Sequence, residues 1–160
     1  MKIIMAGIDY SLAGIDIREK FSLTESRQRS LYEKLKEKKE ISGSVIITTC
    51  NRTEIYLSCG DDFSKDPFSI LCGLLSENPE DFRNLHRTRE GRDVFWHLCR
   101  LACGVKSQIW GEDQIITQVK GAITRARECG AADCWLEVLF RQAVTAAKRI
   151  KTEIKFSKSE

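Results

Sequence analysis

The feature that most constrains the fold is a pair of short β-rich segments separated by only four residues. Ser44–Thr49 (SVIITT) is rich in β-branched residues, and Glu54–Cys59 (EIYLSC) alternates in polarity. Both patterns are typical of strands, because such side chains pack well on a pleated surface that is buried on one side. Residues 50–53 (CNRT) are too few for anything but a tight connection. The sequence therefore predicts two consecutive strands joined by a tight turn.

The segments around this pair complete a small α/β unit. Ser22 and Glu25 form the capping-box pattern that begins a helix, in which Leu31 and Leu35 are expected to face inward. Gly43 is expected to end this helical segment before the next strand. The expected elements are a strand at 2–8, a helix from 22 to about 39, a helix at 68–75 after Pro67, and a last strand at 81–87.

From residue 89 onwards the apolar spacing predicts helices only. The first begins near Arg89 and ends at Gly104, the second runs from about Gly111 to Cys129, and Asp133 caps the last. The residues expected to face inward are Val94, Leu98, Leu101 and Val105, then Ile115 or Ile116, Val119, Ile123 and Ala126, and finally Leu136, Leu139 or Phe140, Ala143, Ala147 and Ile150. We therefore divide the chain into an α/β unit at 1–88 and a helical unit at 89–160.

Charge and hydropathy exclude several classes of protein. The chain has 26 Lys and Arg against 23 Asp and Glu, and a net charge of +3 does not by itself indicate a nucleic-acid partner. No apolar run approaches the roughly 20 residues that span a bilayer. The apolar N-terminal stretch is interrupted by Asp9 and lacks a small-residue cleavage site, so it indicates a strand and not a signal peptide. We expect a cytoplasmic protein.

The cysteine content argues against a metal site. There are seven cysteines but no C-x-x-C, and only two histidines accompany them. Without a secretion signal, most of these residues are expected to be reduced thiols that pack as small hydrophobic side chains.

Cys50 is the cysteine with a distinctive position. It follows Thr49 at a strand end, where a turn can expose a side chain on a rigid scaffold. A guanidinium such as that of Arg52 would favour the thiolate. A thiolate can attack an activated ester and hold the acyl group as a thioester. A small buried cysteine that ends a strand has the same spacing, so position alone leaves both interpretations open.

Two further groups of polar residues are candidates for a site. His97 lies beside the apolar face of its helix. It is either a proton-transferring group or a histidine at the edge of the core whose hydrogen bonds are all made within the protein. Ser107, Glu112, Gln114 and Gln118 cluster at the start of the next helix, where the last two share a face. Hydrogen bonding to a substrate and ordinary helix-end electrostatics both explain this cluster.

Four groups of residues resemble the glutamyl-tRNA reductases, in order and with that family's spacing over nearly the whole chain. Residues 48–56 (TTCNRTEIY) resemble the family's catalytic signature. The other groups are REK at 18–20, then HLCR at 97–100 with GEDQI at 111–115 and QVK at 118–120, and finally Phe140 and Ala143 with AKR at 147–149 and TE at 152–153. Several motifs in register are far more specific than any one alone.

The resemblance implies a reaction and a set of roles. In this family the cysteine attacks the glutamyl ester of charged tRNA to form a thioester, and NADPH reduces it to glutamate-1-semialdehyde for tetrapyrrole (haem) synthesis. By resemblance Cys50 is the nucleophile, His97 the proton-handling group and Arg52 the ligand of the glutamate carboxylate. The residues that would line the glutamate pocket are Thr49, Ser107, Glu112, Gln114 and Gln118.

The resemblance also implies an α+β fold, with a ferredoxin-like antiparallel sheet unit and a packed helical subdomain. The implied partners are glutamyl-tRNA, the aminomutase that consumes the semialdehyde, and a second subunit joined through a separate domain, with no membrane. The sequence contains no G-x-G-x-x-G, so we expect no cofactor on this chain itself. We expect a fragment whose dinucleotide-binding and dimerising domains lie beyond it.

Two positions depart from the family's pattern. Asp9-Tyr10 stands where the family usually has Asn-His, and Val105-Lys106 where it usually has Leu-Asp. These changes motivate an alternative, a divergent non-catalytic relative that senses a tetrapyrrole. A general RNA-binding domain is poorly supported, because Tyr56 is the only aromatic residue on the strand 54–59.

Overall fold

The computed structural model describes residues 1–104 and 114–159. The described strands are β1 (Lys2–Asp9), β2 (Ile41–Thr48), β3 (Arg52–Cys59) and β4 (Arg87–Glu90). The described helices are α1 (Ile15–Glu19), α2 (Glu25–Lys36), α3 (Pro67–Leu74), α4 (Arg92–Ala102), α5 (Gln114–Glu128) and α6 (Cys134–Ser159), with a 3₁₀ turn at Pro79–Phe82. None of these helices is both long and apolar enough to cross a membrane.

The four strands form one antiparallel sheet in the order β2-β3-β1-β4. Helices link β1 to β2 and β3 to β4, whereas a tight turn joins β2 to β3, which gives the β-α-β-β-α-β arrangement of ferredoxin-like folds. The predicted fold class is therefore confirmed. The boundary at residue 88 stays a prediction; β4 itself extends to Glu90.

The two faces of the sheet carry different helices. Successive side chains of a strand point to opposite faces. The Thr53 hydroxyl donates to the carbonyl of Phe21, on the side of α2 and α3. Glu54 points the other way, where it meets His97 of α4. The ring of Tyr56 lies on this second face and packs edge-on against Phe140 of α6.

The edge strand β2 is protected by its neighbours. An edge strand presents unpaired N–H groups that would pair with another chain if left open. Here the N–H of Ser44 donates to the carbonyl of Ala131 at 2.9 Å, and the N–H of Ile46 donates to the Tyr32 hydroxyl at 2.7 Å. These bonds attach the helical half and α2 to the same strand, and one continuous cluster of buried apolar side chains spans both halves.

Several predicted element boundaries are wrong. Helix α2 is capped by Thr24, whose hydroxyl accepts from the N–H of Arg27, and not by Ser22. Gly43 does not end a unit but lies within β2 at a break in register. Residues 81–87 are not a strand, because Asn84 adopts a φ of 67° that interrupts extended backbone.

In the helical half, most of the inward positions are confirmed. The Asp133 carboxylate caps α6 by accepting from the N–H of Leu136 at 3.0 Å. Ile150 is an exception, at 42% exposure, and Ala147 is the last buried residue among the α6 side chains that the structure describes. Val105 and the predicted start of the second helix at Gly111 lie outside the described residues.

We predict that Gly43→Ala destabilises the fold. A Cβ at this position would lie 2.7 Å from the Asp133 Cγ and 2.9 Å from the Asp133 backbone nitrogen. Overpacking of this kind costs roughly 1 to 3 kcal/mol, and here it also displaces the cap of α6. Urea denaturation of both proteins measures the difference in the free energy of unfolding.

Gly121→Ala is the matched control. No atom lies within 4 Å of its added Cβ, and the residue is exposed within α5. Removing a mid-helix glycine is expected to stabilise by roughly 0.5 to 1 kcal/mol. Equal effects of the two alanines would contradict the proposed contact between Gly43 and Asp133.

Candidate functional site

The turn between β2 and β3 holds Cys50 on a hydrogen-bonded scaffold. The N–H of Thr49 donates to the carbonyl of Arg52 at 2.8 Å, and the N–H of Asn51 donates to the Thr49 hydroxyl at 3.1 Å. The N–H of Tyr10, just after β1, donates to the carbonyl of Asn51 at 2.9 Å. Cys50 is exposed between these bonds. The turn thus presents a thiol to solvent on a fixed backbone.

The other cysteines are mostly part of the core. All seven lie in the described ranges and all are unbridged. Burial raises the pKa of the Cys72 thiol to about 12 and also raises the thiol pKa at three further buried positions, Cys59, Cys99 and Cys103. Cys129 is half-buried, and Cys134 is exposed like Cys50. Within 1–104 and 114–159, no cluster of His, Cys, Asp and Glu is placed to hold a metal ion.

Below the Cys50 turn, Glu54 is the centre of a buried polar network. Its Oε2 lies 2.7 Å from the His97 Nε2 and 3.2 Å from the Arg52 Nη1, and its Oε1 accepts from the Tyr56 hydroxyl at 2.6 Å. All four residues are at most 3% exposed. The strand alternation explains the cluster, because Arg52, Glu54 and Tyr56 are two apart in β3 and share one face.

The network keeps Glu54 ionised. Burial by itself would raise the pKa of this carboxyl, but His97, Arg52 and the Tyr56 hydroxyl together outweigh burial and lower the pKa to about 2. Burial and the Glu54 charge raise the pKa of the Tyr56 hydroxyl well above its usual range, so Tyr56 stays a neutral donor. Glu54 therefore acts as a fixed negative charge at neutral pH.

Gly7 makes room for this carboxylate. It pairs with Glu54 across the β1–β3 ladder, and a Cβ at position 7 would lie 2.7 Å from the Glu54 Cγ. Any larger residue would push the Glu54 side chain away from its partners. The glycine in the first strand is thus explained by the network and not by a turn.

The two ring nitrogens of His97 have different surroundings. Its Nε2 contacts Glu54, whereas its Nδ1 is buried without a hydrogen-bond partner in the described part of the chain. A carboxylate on one nitrogen fixes the orientation of the imidazole and favours the proton on that side. His86, by contrast, stacks on Phe68 and bonds the Phe82 carbonyl.

Asp9, one of the departures from the family pattern, also faces Arg52. Its Oδ2 lies 3.7 Å from the Arg52 Nη1, and its Oδ1 accepts from both the N–H and the hydroxyl of Ser11. The change from an amide to a carboxylate therefore adds a second negative charge beside Arg52. Arg52 thus contacts both carboxylates, Asp9 and Glu54.

The remaining predicted site residues lie on the surface or outside the described ranges. Thr49 is half-buried and shapes the Cys50 turn through its hydroxyl. Gln114 and Gln118 are exposed on α5. Ser107 and Glu112 fall within 105–113, outside the described residues, as does Lys106. Their predicted roles in binding glutamate stay predictions.

Sequence reasoning missed Glu54 as a site residue. The signal was present: an acidic residue two positions from Arg52 and from Tyr56, in the middle of a strand that is buried along its whole length. An unpaired carboxylate is seldom buried in a central strand, so an acidic residue at this position indicates a cationic partner. The partner His97 lies 43 positions away, and that pairing is not visible in the local pattern.

Comparison with known proteins agrees with these features. A family model described as "Glutamyl-tRNAGlu reductase, N-terminal domain" matches residues 6–154. A curated protein named glutamyl-tRNA reductase from Acetivibrio thermocellus is 57% identical over 160 residues, which are 100% of this chain and 48% of that protein. A probable multifunctional siroheme biosynthesis protein from Ruminiclostridium josui is 42% identical over 97% of this chain and 30% of its own length.

A solved structure has the same fold. Glutamyl-tRNA reductase from Methanopyrus kandleri superposes with a TM-score of 0.75 at 30% identity, over 94% of this chain and 34% of that chain. The chain spans about half the length of the curated relatives it matches first.

We predict that Glu54→Gln destabilises the protein by roughly 3 to 5 kcal/mol, because it leaves buried Arg52 and His97 without their shared charge. The folded pKa of Glu54 lies below its ordinary value of 4.5, so its contribution is present above pH 4.5 and is lost as the pH falls towards 2. Denaturation curves at pH 7 and pH 3 should therefore show a smaller difference between parent and variant at pH 3.

Glu40→Gln is the control for this measurement. Glu40 forms an ion pair with Lys65 on the surface, which is expected to contribute little in water. The loss of unfolding free energy in Glu54→Gln should exceed that in Glu40→Gln and should differ between the two pH values. If either expectation fails, Glu54 is not the charge on which the network depends.

Proposed function

Since this chain belongs to the glutamyl-tRNA reductase family and matches its N-terminal domain, we propose that it transfers the glutamyl group of charged tRNA to the thiol of Cys50. The observation that carries this proposal is the exposed Cys50 on a hydrogen-bonded turn, directly before the strand that bears Arg52 and Glu54. A nucleophile must be accessible, whereas the groups that orient its substrate must be held rigidly.

The proposed step is an acyl transfer without change of oxidation state. The Cys50 sulfur attacks the carbonyl carbon of the glutamyl ester, a carbon–sulfur bond forms, and the bond from that carbon to the ribose oxygen breaks. The leaving oxygen takes up a proton and departs as the free hydroxyl of the tRNA. The glutamyl group remains on Cys50 as a thioester.

His97 is proposed to handle the proton in this step. Its Nε2 is held by Glu54, and its Nδ1 has no partner among the described residues. Glu54 touches neither the thiol nor the ester in this proposal. It positions His97 and Arg52 and stabilises positive charge on the imidazole.

Arg52 is proposed to hold the side-chain carboxylate of the glutamyl group. A planar guanidinium binds a carboxylate through two parallel hydrogen bonds, which sets orientation as well as affinity. Arg52 is 3% exposed and fixed by contacts with Glu54 and Asp9, so it is preorganised for this task. Thr49, Ser107, Glu112, Gln114 and Gln118 complete the proposed pocket.

The hydride step is not assigned to residues of this chain. NADPH is the reductant that the family resemblance implies, and the sequence contains no G-x-G-x-x-G motif that would bind a dinucleotide. Reduction to glutamate-1-semialdehyde, supply of that product to an aminomutase for tetrapyrrole synthesis, and pairing of subunits are proposed for the whole protein. The tetrapyrrole-sensing alternative stays a hypothesis.

We predict that Cys50→Ala abolishes acyl transfer. The protein is mixed in stoichiometric amount with tRNA charged with radiolabelled glutamate, treated with ribonuclease, precipitated with acid and then exposed to hydroxylamine. The parent is expected to retain close to one label per chain, released by hydroxylamine as a thioester would be.

Cys134→Ala is the control for that assay, because Cys134 is also exposed but begins α6 away from the β2–β3 turn. It is expected to retain label as the parent does. Label that persists in Cys50→Ala, or that disappears equally in both variants, would exclude Cys50 as the acceptor.

We predict that His97→Gln slows labelling of Cys50 by roughly 10²-fold or more, the usual scale for loss of a proton-transferring group. Single-turnover time courses measure the rate. His86→Gln is the control, because His86 stacks on Phe68 of α3. If both histidine variants react at the parent rate, His97 has no role in proton transfer.

A further inference from the structure

A cavity of about 240 Å³ opens beside the Cys50 turn. It is lined by Asp9, Tyr10, Ser11, Arg52, Arg87 and Arg89. The N–H of Tyr10 donates to the carbonyl of Asn51, the residue after Cys50, so this cavity adjoins the turn through a direct backbone bond. A group bonded to an acyl donor at Cys50 would lie within reach of this cavity.

Two arginines of the edge strand β4 face the cavity from the side opposite β3. Arg87 pairs with Gly7 and Arg89 pairs with Met5, and directly paired residues of antiparallel strands share a face. Gly7 in turn pairs with Glu54, so both arginines lie on the face of the buried network. Neither arginine is among the site residues that the sequence predicts.

The charges of the lining are not balanced within the cavity. Arg52 contacts the carboxylates of Glu54 and Asp9, whereas Arg87 and Arg89 add two further guanidinium groups to a lining whose one carboxylate is Asp9. Arg87 is exposed, and the Nε of half-buried Arg89 is buried without an acceptor in the described part of the chain. The cavity is therefore suited to an anionic group that brings several acceptor oxygens.

We propose that this cavity binds the last phosphodiester of the RNA that carries the acyl group, through Arg87 and Arg89. The inference rests on the proposed function, because it takes the acyl donor to be a charged tRNA. A phosphodiester presents oxygens to two guanidiniums at once. The half-buried ring of Tyr10 and the hydroxyl of exposed Ser11 are further groups that proteins use on RNA ends, for base stacking and phosphate contact.

A phosphate fits the position of the β4 arginines better than the carboxylate of the glutamyl group does. Arg52 is buried under the turn, where an amino-acid side chain would reach. Arg87 is exposed on an edge strand at the solvent side of the cavity, where the polymer enters. Two experiments distinguish binding of a phosphate by these arginines from binding of the glutamyl carboxylate.

The first experiment measures binding of an uncharged RNA hairpin that ends in the CCA sequence of tRNA, so it does not depend on acyl transfer. The double variant Arg87→Gln/Arg89→Gln is expected to raise Kd about tenfold or more. It should also reduce the slope of log K against log salt by roughly 1, since one phosphate contact is lost. Arg83→Gln, which removes one positive charge from an exposed pair with Glu80, is expected to bind as the parent does.

The same titration with a hairpin that lacks the terminal nucleotide locates the contact. The parent should lose affinity for the shortened RNA, whereas the double variant should not. Arg87→Lys/Arg89→Lys keeps both charges and should retain most of the affinity, which separates loss of the contact from loss of the fold. Unchanged Kd and salt slope in the glutamine variant would overturn the proposal.

The second experiment compares acyl transfer to Cys50 from glutamyl-tRNA and from the α-phenyl ester of glutamate, which has no phosphate. The double glutamine variant is expected to lose rate with glutamyl-tRNA alone. Equal loss with both donors would overturn the proposal, because the arginines would then bind the amino acid. If the parent accepts glutamate from neither donor, the proposed function is wrong. The RNA titration still shows whether Arg87 and Arg89 bind a phosphate, because it does not depend on acyl transfer.

Discussion

The ionised carboxylate of Glu54 is the group on which the arrangement of this site depends. Taking a charge out of water is costly unless its partners are in place, and three side chains supply them here: His97, Arg52 and Tyr56. Gly7 supplies the space in the neighbouring strand. Because His97 belongs to α4, the carboxylate also ties the helical half of the molecule to the central strand of the sheet.

This arrangement separates the accessible group from the groups that orient it. Cys50 is exposed on a turn whose backbone is fixed by three hydrogen bonds, and the turn leads directly into β3. Arg52 begins that strand, and Glu54 follows two residues later on the same face. A displacement of the strand would therefore move the turn, the guanidinium and the carboxylate together. The cavity lined by Arg87 and Arg89 extends the same face to the solvent side of the sheet.

Much of the fold is visible in local patterns of the sequence. The β-branched residues of β2, the alternation in β3 and the cap at Asp133 each act over a few residues, and each was predicted. The wrong predictions concern positions whose structure depends on contacts with residues that are distant in the sequence. Gly43 lies within β2, where it pairs with Ser58 of β3 and lies close to Asp133, the cap of α6. Ile150 is 42% exposed although its spacing predicts an inward position.

The same distinction applies to the site. The family resemblance and the position of Cys50 in a turn predict the nucleophile from the sequence alone. The buried pairing of Glu54 involves a histidine 43 residues away, and the position of Arg89 beside the cavity depends on strand pairing with β1, so neither follows from local spacing. Asp9 was identified only as a departure, and the structure places its carboxylate beside Arg52.

The most direct measurement is a carbon-13 NMR titration of the Glu54 side-chain carboxyl, assigned by comparison with Glu54→Gln. A charge held by His97, Arg52 and Tyr56 should keep the chemical shift of an ionised carboxylate from pH 7 down to the onset of acid unfolding, since its pKa is about 2. Protonation near or above pH 4.5, with the protein still folded, would show that Glu54 is not the fixed charge that holds Arg52 and His97 in place.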